Sequence, residues 1–239
     1  MELRIKHVTG YRYDAPVSAS HHEARLTPIT DARQTVRNPH VDVDPAPWST
    51  AYTDYWGTRV TAFEITSPHP TLTVTATSTV RTQAAPEPTD TLTWEDLADP
   101  RLVDELVEFL TVGDLTRPPA DLTGLAASLV ASGARPGAVA REVSAAGSVE
   151  HAIGALREAG LPCRYVRGYV LGRDTPQAWL EWWDGAWQGF DPVTGAAPGD
   201  GHVAVAMGRD SADVRPLRGI CTGAETATLF DEVQVTKVV

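Results

Sequence analysis

The sequence predicts an α+β fold, in which an antiparallel β region is followed by helices and then by a second antiparallel sheet. The first third of the chain alternates polar and apolar residues with a period near two, which is typical of strands with one solvent-facing side. The middle third carries Ala, Leu, Val and Ile at helical spacing, and after Gly160 the period returns to two. Helices that precede a sheet, instead of alternating with its strands, favour α+β over a doubly wound fold.

The N-terminal domain, residues 1–85, is predicted to be a small antiparallel β-sandwich or meander. Its alternating segments are rich in Thr and Val and are separated by Pro, Asp and Gly, which mark turns. These segments are 3–8, 35–37, 58–65 and 71–76. The stretch from Thr82 to Thr91 contains Pro86 and Pro88 among small polar residues, and we interpret it as a linker.

The second domain, residues 86–239, is predicted to have helices at about 93–160 and a sheet at about 161–239. Thr93, followed by Asp96, forms a capping box for the first helix, which Pro100 is expected to interrupt. Two further helices are predicted at 121–131 and at 136–159, the latter with a break near Gly147. Gly160 stands where a C-cap glycine belongs.

The second sheet is predicted from five alternating segments after Gly160, and Asp184-Gly185 is the hairpin signal between the second and third. The segments are 164–171, 177–183, 187–191, 202–207 and 229–235.

Composition excludes several classes of function. The chain has 239 residues and a formal net charge of −11, and an acidic protein without basic runs is not expected to bind nucleic acid or anionic membranes. Two cysteines without a Cys-x-x-Cys pair exclude a zinc ribbon and a disulfide framework. The N-terminus lacks an apolar signal segment, so we predict a cytoplasmic protein. Gly168 and Gly172 do not form a phosphate loop, and no cofactor is expected.

Few residues indicate chemistry by themselves. A reactive thiol needs a nearby imidazole or helix N-terminus, and Cys163 has no histidine close in sequence. Cys221 lies in a glycine-bounded loop and could react, but we prefer to interpret it as a bystander. Glu150-His151 and His21-His22 lack the further ligands of a metal site.

The tryptophans of the second sheet could form a stacking platform for a ligand or part of the core. Alternation places Gln177, Trp179, Glu181 and Trp183 on one face of their strand. We prefer the core interpretation, because a strand that is apolar on both faces is usually a central one.

Four ordered motifs resemble those of bacterial transglutaminase-like proteins. The segment AGLPCRYVRGY at 159–169 is similar to the family pattern G-[IL]-P-A-R-Y-V-x-G-Y. QAWLE at 177–181 resembles H-A-W-x-E, and WQGFDPV at 187–193 resembles G-W-x-x-F-D-P-T. The tail HVAVAMGRD at 202–210 also fits, as do N-terminal cues such as RLTP at 25–28. The resemblance covers nearly the whole chain, and it implies an N-terminal β domain before a papain-like transglutaminase core.

The resemblance also implies a Cys–His–Asp triad, with the cysteine at a helix N-terminus and the other two residues on adjacent strands. The corresponding positions here are Ala145, Gln177 and Asp191, so only the aspartate is retained. Alanine cannot form an acyl intermediate, and an amide is not a general base, although Gln177 can still hydrogen-bond Asp191. Losing both reactive groups removes the mechanism, because triad members act as a unit.

The leading hypothesis is therefore a non-catalytic binding or scaffolding protein. It would bind a peptide or protein in the former active-site cleft, with Trp179, Glu181 and Trp183 as lining residues. Family context implies a catalytic homologue or an ATP-grasp-type enzyme as the partner.

Two enzyme alternatives remain open. A relocated nucleophile, Cys163 or Cys221, with His151 or His202 as base, would give a cysteine-dependent amidase or acyl transferase. Alternatively, Asp191 and Glu181 could act as an acid/base pair.

The family geometry requires Asp191 and Gln177 on the same face of the sheet. A two-residue turn at Asp184-Gly185 would place Asp191 opposite Ala178, on the wrong face. We therefore predict a longer turn through Ala186, or a bulge in one of these strands.

Overall fold

A computed structural model of the chain describes residues 1–85 and 89–238. Residues 86–88, within the predicted linker, lie outside the described part. The strands are β1 (Glu2–Val17), β2 (Ala19–Ala24), β3 (Gln34–Asp44), β4 (Trp48–Thr53), β5 (Arg59–Ile65), β6 (His69–Thr82), β7 (Cys163–Val170), β8 (Gln177–Trp183), β9 (Trp187–Phe190), β10 (His202–Gly208), β11 (Leu217–Thr222) and β12 (Ala227–Lys237). The helices are α1 (Trp94–Leu97), α2 (Pro100–Glu105), α3 (Val107–Leu110), α4 (Ala120–Ala131), α5 (Pro136–Ala146) and α6 (Val149–Glu158).

Two antiparallel four-stranded sheets form the N-terminal sandwich. The first has the strand order β12-β1-β6-β3 and the second the order β11-β2-β5-β4. Leu72 and Val74 of the first sheet pack against Phe63 and Ile65 of the second, and all four are buried. Burial of these alternate positions is what period-two segments predict, and the α+β class is confirmed.

The last two strands complete this sandwich. The prediction that residues 229–235 join the second predicted sheet is wrong, because β12 pairs with β1 and places Val235 opposite Ile5. β11 pairs in the same way with β2. A period of two identifies a strand and its buried face, but it carries no information about which strand lies beside it.

Sequence reasoning missed β4 for a different reason. All six of its residues, Trp48–Thr53, are exposed at the edge of the second sheet. A strand with no buried face shows no alternation.

The helices follow their local signals. Thr93 and Asp96 form the capping box of α1, and the chain breaks before Pro100. The predicted interruption at Gly147 separates α5 from α6, and Gly160 ends α6 with a φ of +89°. A positive φ is easily adopted only by glycine, which explains the residue at this cap. In the described residues, no helix is long and apolar enough to cross a membrane.

The core sheet has the strand order β10-β7-β8-β9, and the helices pack on one of its faces. Val143, Ile153 and Leu156 of the helices form one buried cluster with Leu180 and Trp182 of β8. Trp179, Glu181 and Asp191 therefore point to the opposite face, which carries the candidate site.

Candidate functional site

The turn between β8 and β9 decides where Asp191 lies. Trp183 pairs with Trp187, so the loop has three residues, Asp184 to Ala186. Leu180 pairs with Phe190, and the next residue, Asp191, therefore shares a face with Trp179 and Gln177. The predicted turn through Ala186 is confirmed.

The Gln177 side chain does not hydrogen-bond Asp191. Its amide nitrogen donates to the backbone oxygen of Thr175 at 2.9 Å and to the hydroxyl of Thr175 at 3.0 Å. The side chain is thus held by its own strand's approach loop, and the hydrogen bond to Asp191 that the sequence allows is not formed.

Ala145 lies in the last turn of α5 and is exposed. The following helix, α6, begins only after Ser148, whose side chain caps it by accepting from the His151 N–H. The C-terminal end of a helix carries partial negative charge, which disfavours a thiolate. Ala145, the position that the sequence motif assigns to the family's cysteine, therefore lies at the end of a helix and not at a helix N-terminus.

The Asp191 carboxylate accepts three hydrogen bonds within the protein. Oδ2 accepts from His202 Nε2 at 3.0 Å and from the Thr194 hydroxyl at 3.1 Å, and Oδ1 accepts from the Val193 N–H at 2.8 Å. Burial acts to raise the pKa of Asp191, but these hydrogen bonds outweigh it and hold that pKa below its ordinary value. The buried Asp191 side chain is therefore an anion whose charge is stabilised by hydrogen bonds from protein groups.

His202 has both ring nitrogens engaged. Nδ1 accepts from the Gly199 N–H at 3.1 Å, so Nε2 carries the proton that it donates to Asp191. The side chain is 8% exposed, and its ring lies edge-on to Trp179 with the centroids 5.6 Å apart. Both ring nitrogens are thus engaged, with no lone pair free in this arrangement, and His202 joins the two ends of the 191–202 loop.

Trp179 is core and not cleft lining. It is 2% exposed, and its ring lies over Gly168, where an added Cβ would approach Trp179 Cη2 to 2.5 Å. Glycine at 168 thus makes room for the indole.

Glu181 is committed to an ion pair. Its Oε2 accepts from Arg164 Nε at 2.7 Å, and only 8% of the residue is exposed. The same guanidinium lies 4.3 Å from the centre of the Trp187 ring. A carboxylate held in this way is an anchor for Arg164, and Asp191 has its own partner in His202.

The two cysteines lie apart from the Asp191–His202 pair. Cys163 has no exposed surface, and burial raises the pKa of its thiol to about 12 despite the nearby Arg157 guanidinium. Cys221 is exposed on β11 of the sandwich, opposite Ser20. In residues 1–85 and 89–238, no hydrogen bond joins either sulfur to an imidazole. His151 lies exposed on the first turn of α6.

The two members of the His21-His22 pair lie on opposite faces of β2. His22 stacks between Tyr11 and Phe63 in the sandwich core, while His21 points to the outer face. Over the described ranges, no group of three or more His, Cys, Asp or Glu side chains is placed to hold a metal ion.

A row of five aromatic rings includes Trp183 and Trp187, which share the Asp191 face of the core sheet. We call it the aromatic row, and its members are Tyr55, Trp56, Phe109, Trp187 and Trp183. Neighbouring ring centres are 4.8, 5.6, 5.0 and 5.3 Å apart along that order. Arg209 lies over Trp56 and Arg164 over Trp187.

The aromatic row is open to solvent. Tyr55 is 79% exposed and the other four rings are half-buried. A pocket of about 210 Å³ opens beside it, lined in part by Glu108, Arg157 and Arg209. Sequence reasoning identified Trp183 as cleft lining but could not find the rest, because the rings come from segments more than fifty residues apart.

Two family models match the chain. The bacterial transglutaminase-like N-terminal region matches residues 3–81, and the transglutaminase-like superfamily core matches residues 144–192. The second match spans positions 145, 177 and 191.

Relatives and a solved structure match over nearly the full length. An uncharacterized protein of Mycobacterium leprae, ML0607, is 32% identical over 275 aligned positions, covering 99% of each chain. The uncharacterized protein Rv2569c of Mycobacterium tuberculosis is 29% identical, covering 97% of this chain and 91% of the relative. These alignments are longer than the chain's 239 residues, so both relatives carry segments that this chain lacks.

The crystal structure of a Cytophaga hutchinsonii protein, provisionally assigned as a cysteine protease, superimposes with a TM-score of 0.75. It is 18% identical, and the match covers 100% of this chain and 92% of the other. At this identity the likeness shows a shared fold. The family-model matches and the relative from Mycobacterium leprae agree with the sandwich, the helix-backed sheet and the Asp191 turn. The chain belongs to the bacterial transglutaminase-like family.

Proposed function

We propose that this protein is a non-catalytic member of its family and that it works by binding a peptide or protein segment. One observation carries the proposal: both carboxylate oxygens of the retained Asp191 already accept hydrogen bonds within the protein, from His202, Thr194 and Val193. An aspartate that orients a catalytic histidine must present that histidine's other nitrogen to a nucleophile. Here that nitrogen accepts a backbone N–H from Gly199.

The location of the thiols supports the same conclusion. Nucleophilic catalysis requires a thiolate within hydrogen-bond reach of its base. Cys163 is sealed in the core with a raised pKa, and Cys221 lies on another sheet from Asp191 and His202. Among the described residues, neither thiol has a hydrogen bond to an imidazole, and this argues against the relocated-nucleophile alternative.

The aromatic row supports the binding half of the proposal. Half-exposed tryptophans beside a pocket are typical of peptide-recognition surfaces, because rigid rings bury much apolar area at little cost in conformational entropy. A bound segment would lie along Trp56, Phe109 and Trp187 and place one side chain in the pocket beside Arg209. A catalytic homologue or an ATP-grasp-type enzyme is the first candidate to supply that segment.

An amine-incorporation assay tests the proposal that the protein is non-catalytic. The purified chain is incubated with dimethylcasein and dansylcadaverine, before and after iodoacetamide treatment, with Cys221→Ser as the matched variant. We expect no incorporation above the protein-free rate in any sample. Incorporation that iodoacetamide or Cys221→Ser abolishes would establish a thiol enzyme and overturn the proposal.

Peptide display tests the proposal that a peptide segment binds at the aromatic row. A random peptide library is selected on the wild-type chain and counter-selected on Trp56→Ala/Trp187→Ala, with Tyr52→Ala as a control for a removed exposed aromatic. Peptides that bind the wild type and Tyr52→Ala but not the double variant are expected. A library that yields only peptides indifferent to the double variant contradicts binding at the aromatic row.

A further inference from the structure

The second sheet of the sandwich carries an open groove on the side that faces away from the sandwich core. Four directly paired residues cross it in a row: Trp48 beside Glu64, Glu64 beside His21, and His21 beside Ile220. Directly paired residues share a face, and the intervening residue Phe63 is buried on the other side. A cavity of about 560 Å³ lies along this row, and we call it the outer groove.

The width of the outer groove matches an α-helix. Its walls stand on β4 and β11, which are three strand spacings apart, or about 14 Å. An α-helix with its side chains is about 10–12 Å across. The floor between the walls includes the small side chain of Ala62. A helix lying along the strands would therefore fit between the walls.

The walls are apolar and unusually exposed. Trp48 is 71% exposed and Ile220 is 73% exposed, and they flank the same groove from its two edges. Single exposed hydrophobic residues are normal, but a pair that borders one groove is typical of an interaction site. A helix with Leu, Ile or Met on one face would bury both walls at once.

The charged residues of the outer groove indicate the charge of the helix that would bind there. In the described ranges, no Lys or Arg lies within 4 Å of Glu64, whose recorded ionic contact is His21 Nε2 at 3.8 Å. Arg218, at the other end of the floor, is already paired with Glu23 at 2.8 Å. The chain as a whole has a net charge of −11. The outer groove thus complements a cationic side chain and not an anionic one.

We infer that the outer groove binds an amphipathic, cationic helix of a partner protein, with apolar side chains between Trp48 and Ile220 and a Lys or Arg at Glu64. The outer groove shares no residue with the aromatic row or with Asp191. The inference therefore stands or falls separately from the proposed function.

The test uses three synthetic 18-residue peptides with the chain itself. One is an amphipathic Leu/Lys helix, the second replaces every Lys by Glu, and the third carries two central prolines in the Leu/Lys sequence, which prevent the helix. Binding is followed by fluorescence anisotropy of the labelled peptide, with helicity of the bound peptide from circular dichroism. We expect the Leu/Lys helix to bind and to gain helicity, and the other two to bind at least tenfold more weakly.

Variants locate the binding. Trp48→Ala and Ile220→Ala should each weaken the Leu/Lys peptide about tenfold, and Glu64→Gln severalfold. The matched controls are Leu229→Ala, an exposed apolar residue on β12 outside both the groove and the aromatic row, and Glu105→Gln, an exposed carboxylate on α2; both should bind as the wild type does.

Three results would overturn the inference. Equal weakening by Glu105→Gln would mean that an acidic surface attracts the peptide without a site. Equal binding of the proline peptide would mean that the groove or the β4 edge takes an extended strand. Trp48-dependent dimers in sedimentation velocity, without peptide binding, would assign the face to a second copy of this chain.

Discussion

Replacing His202 by alanine tests whether the Asp191–His202 pair is an anchor of the fold. The change removes a hydrogen bond to a carboxylate, which contributes about 1.5–3 kcal/mol. It also removes the ring that packs on Trp179, and the cavity adds about 1–2 kcal/mol. We expect the free energy of unfolding to fall by about 2.5–5 kcal/mol, and Tm by about 5–20 °C for a chain of this size.

Urea denaturation followed by tryptophan fluorescence measures this loss, and circular dichroism gives Tm. His151→Ala is the matched control, because that imidazole is exposed, and it should change stability by less than about 0.5 kcal/mol. A double-mutant cycle with Asp191→Asn isolates the coupling between the two residues. A His202→Ala loss below about 1 kcal/mol would refute the anchoring role, since neither the hydrogen bond nor the packing would then matter.

Four further predictions follow from the described contacts. Ellman's reagent should modify one thiol in the native chain, Cys221, and both after denaturation, because Cys163 is fully buried. Gly154→Ala should cost about 3 kcal/mol because the new Cβ would lie 1.7 Å from the Thr116 carbonyl oxygen, whereas Gly124→Ala, with open space around it, should stabilise α4 by about 0.5–1 kcal/mol. Arg164→Ala should destabilise by about 3–5 kcal/mol by leaving the Glu181 carboxylate buried and unpaired, and Arg164→Ala/Glu181→Gln should recover part of that loss in the same urea titration. Because the pKa of Asp191 is lowered in the folded protein, its carboxylate contributes its full stabilisation above the ordinary carboxyl pKa near 4, and this contribution is lost as the pH falls below that value. Asp191→Asn should therefore reduce the difference between the urea midpoints measured at pH 7 and at pH 3.

Much of the local structure was predictable because it is decided within a few residues. The Thr93–Asp96 capping box, the break at Gly147 and the cap at Gly160 all act through neighbouring backbone groups. The three-residue turn at Asp184 to Ala186 could also be inferred, because side-chain parity along two strands allows only certain loop lengths.

The candidate site was only partly predictable. Position 191 and its face were identified from the family motif and strand parity, but its partner His202 lies on β10, at the opposite edge of the sheet from β9. The motif suggested Gln177 as a neighbour, and Gln177 instead bonds to Thr175. Nothing in the sequence near His202 indicates that its side chain will hydrogen-bond Asp191 and pack against Trp179.

The sequence by itself determined the α+β class, the order of its β, helical and β regions, and the absence of cysteine and histidine from positions 145 and 177. Those properties depend on periodicity, caps and residue identity, which are local. Only the tertiary structure decided that β11 and β12 return to the sandwich, that Cys163 is sealed, and that five distant aromatic rings form one row. Each of these depends on which surfaces meet, and a strand's alternation states that a face will be buried without stating what will bury it.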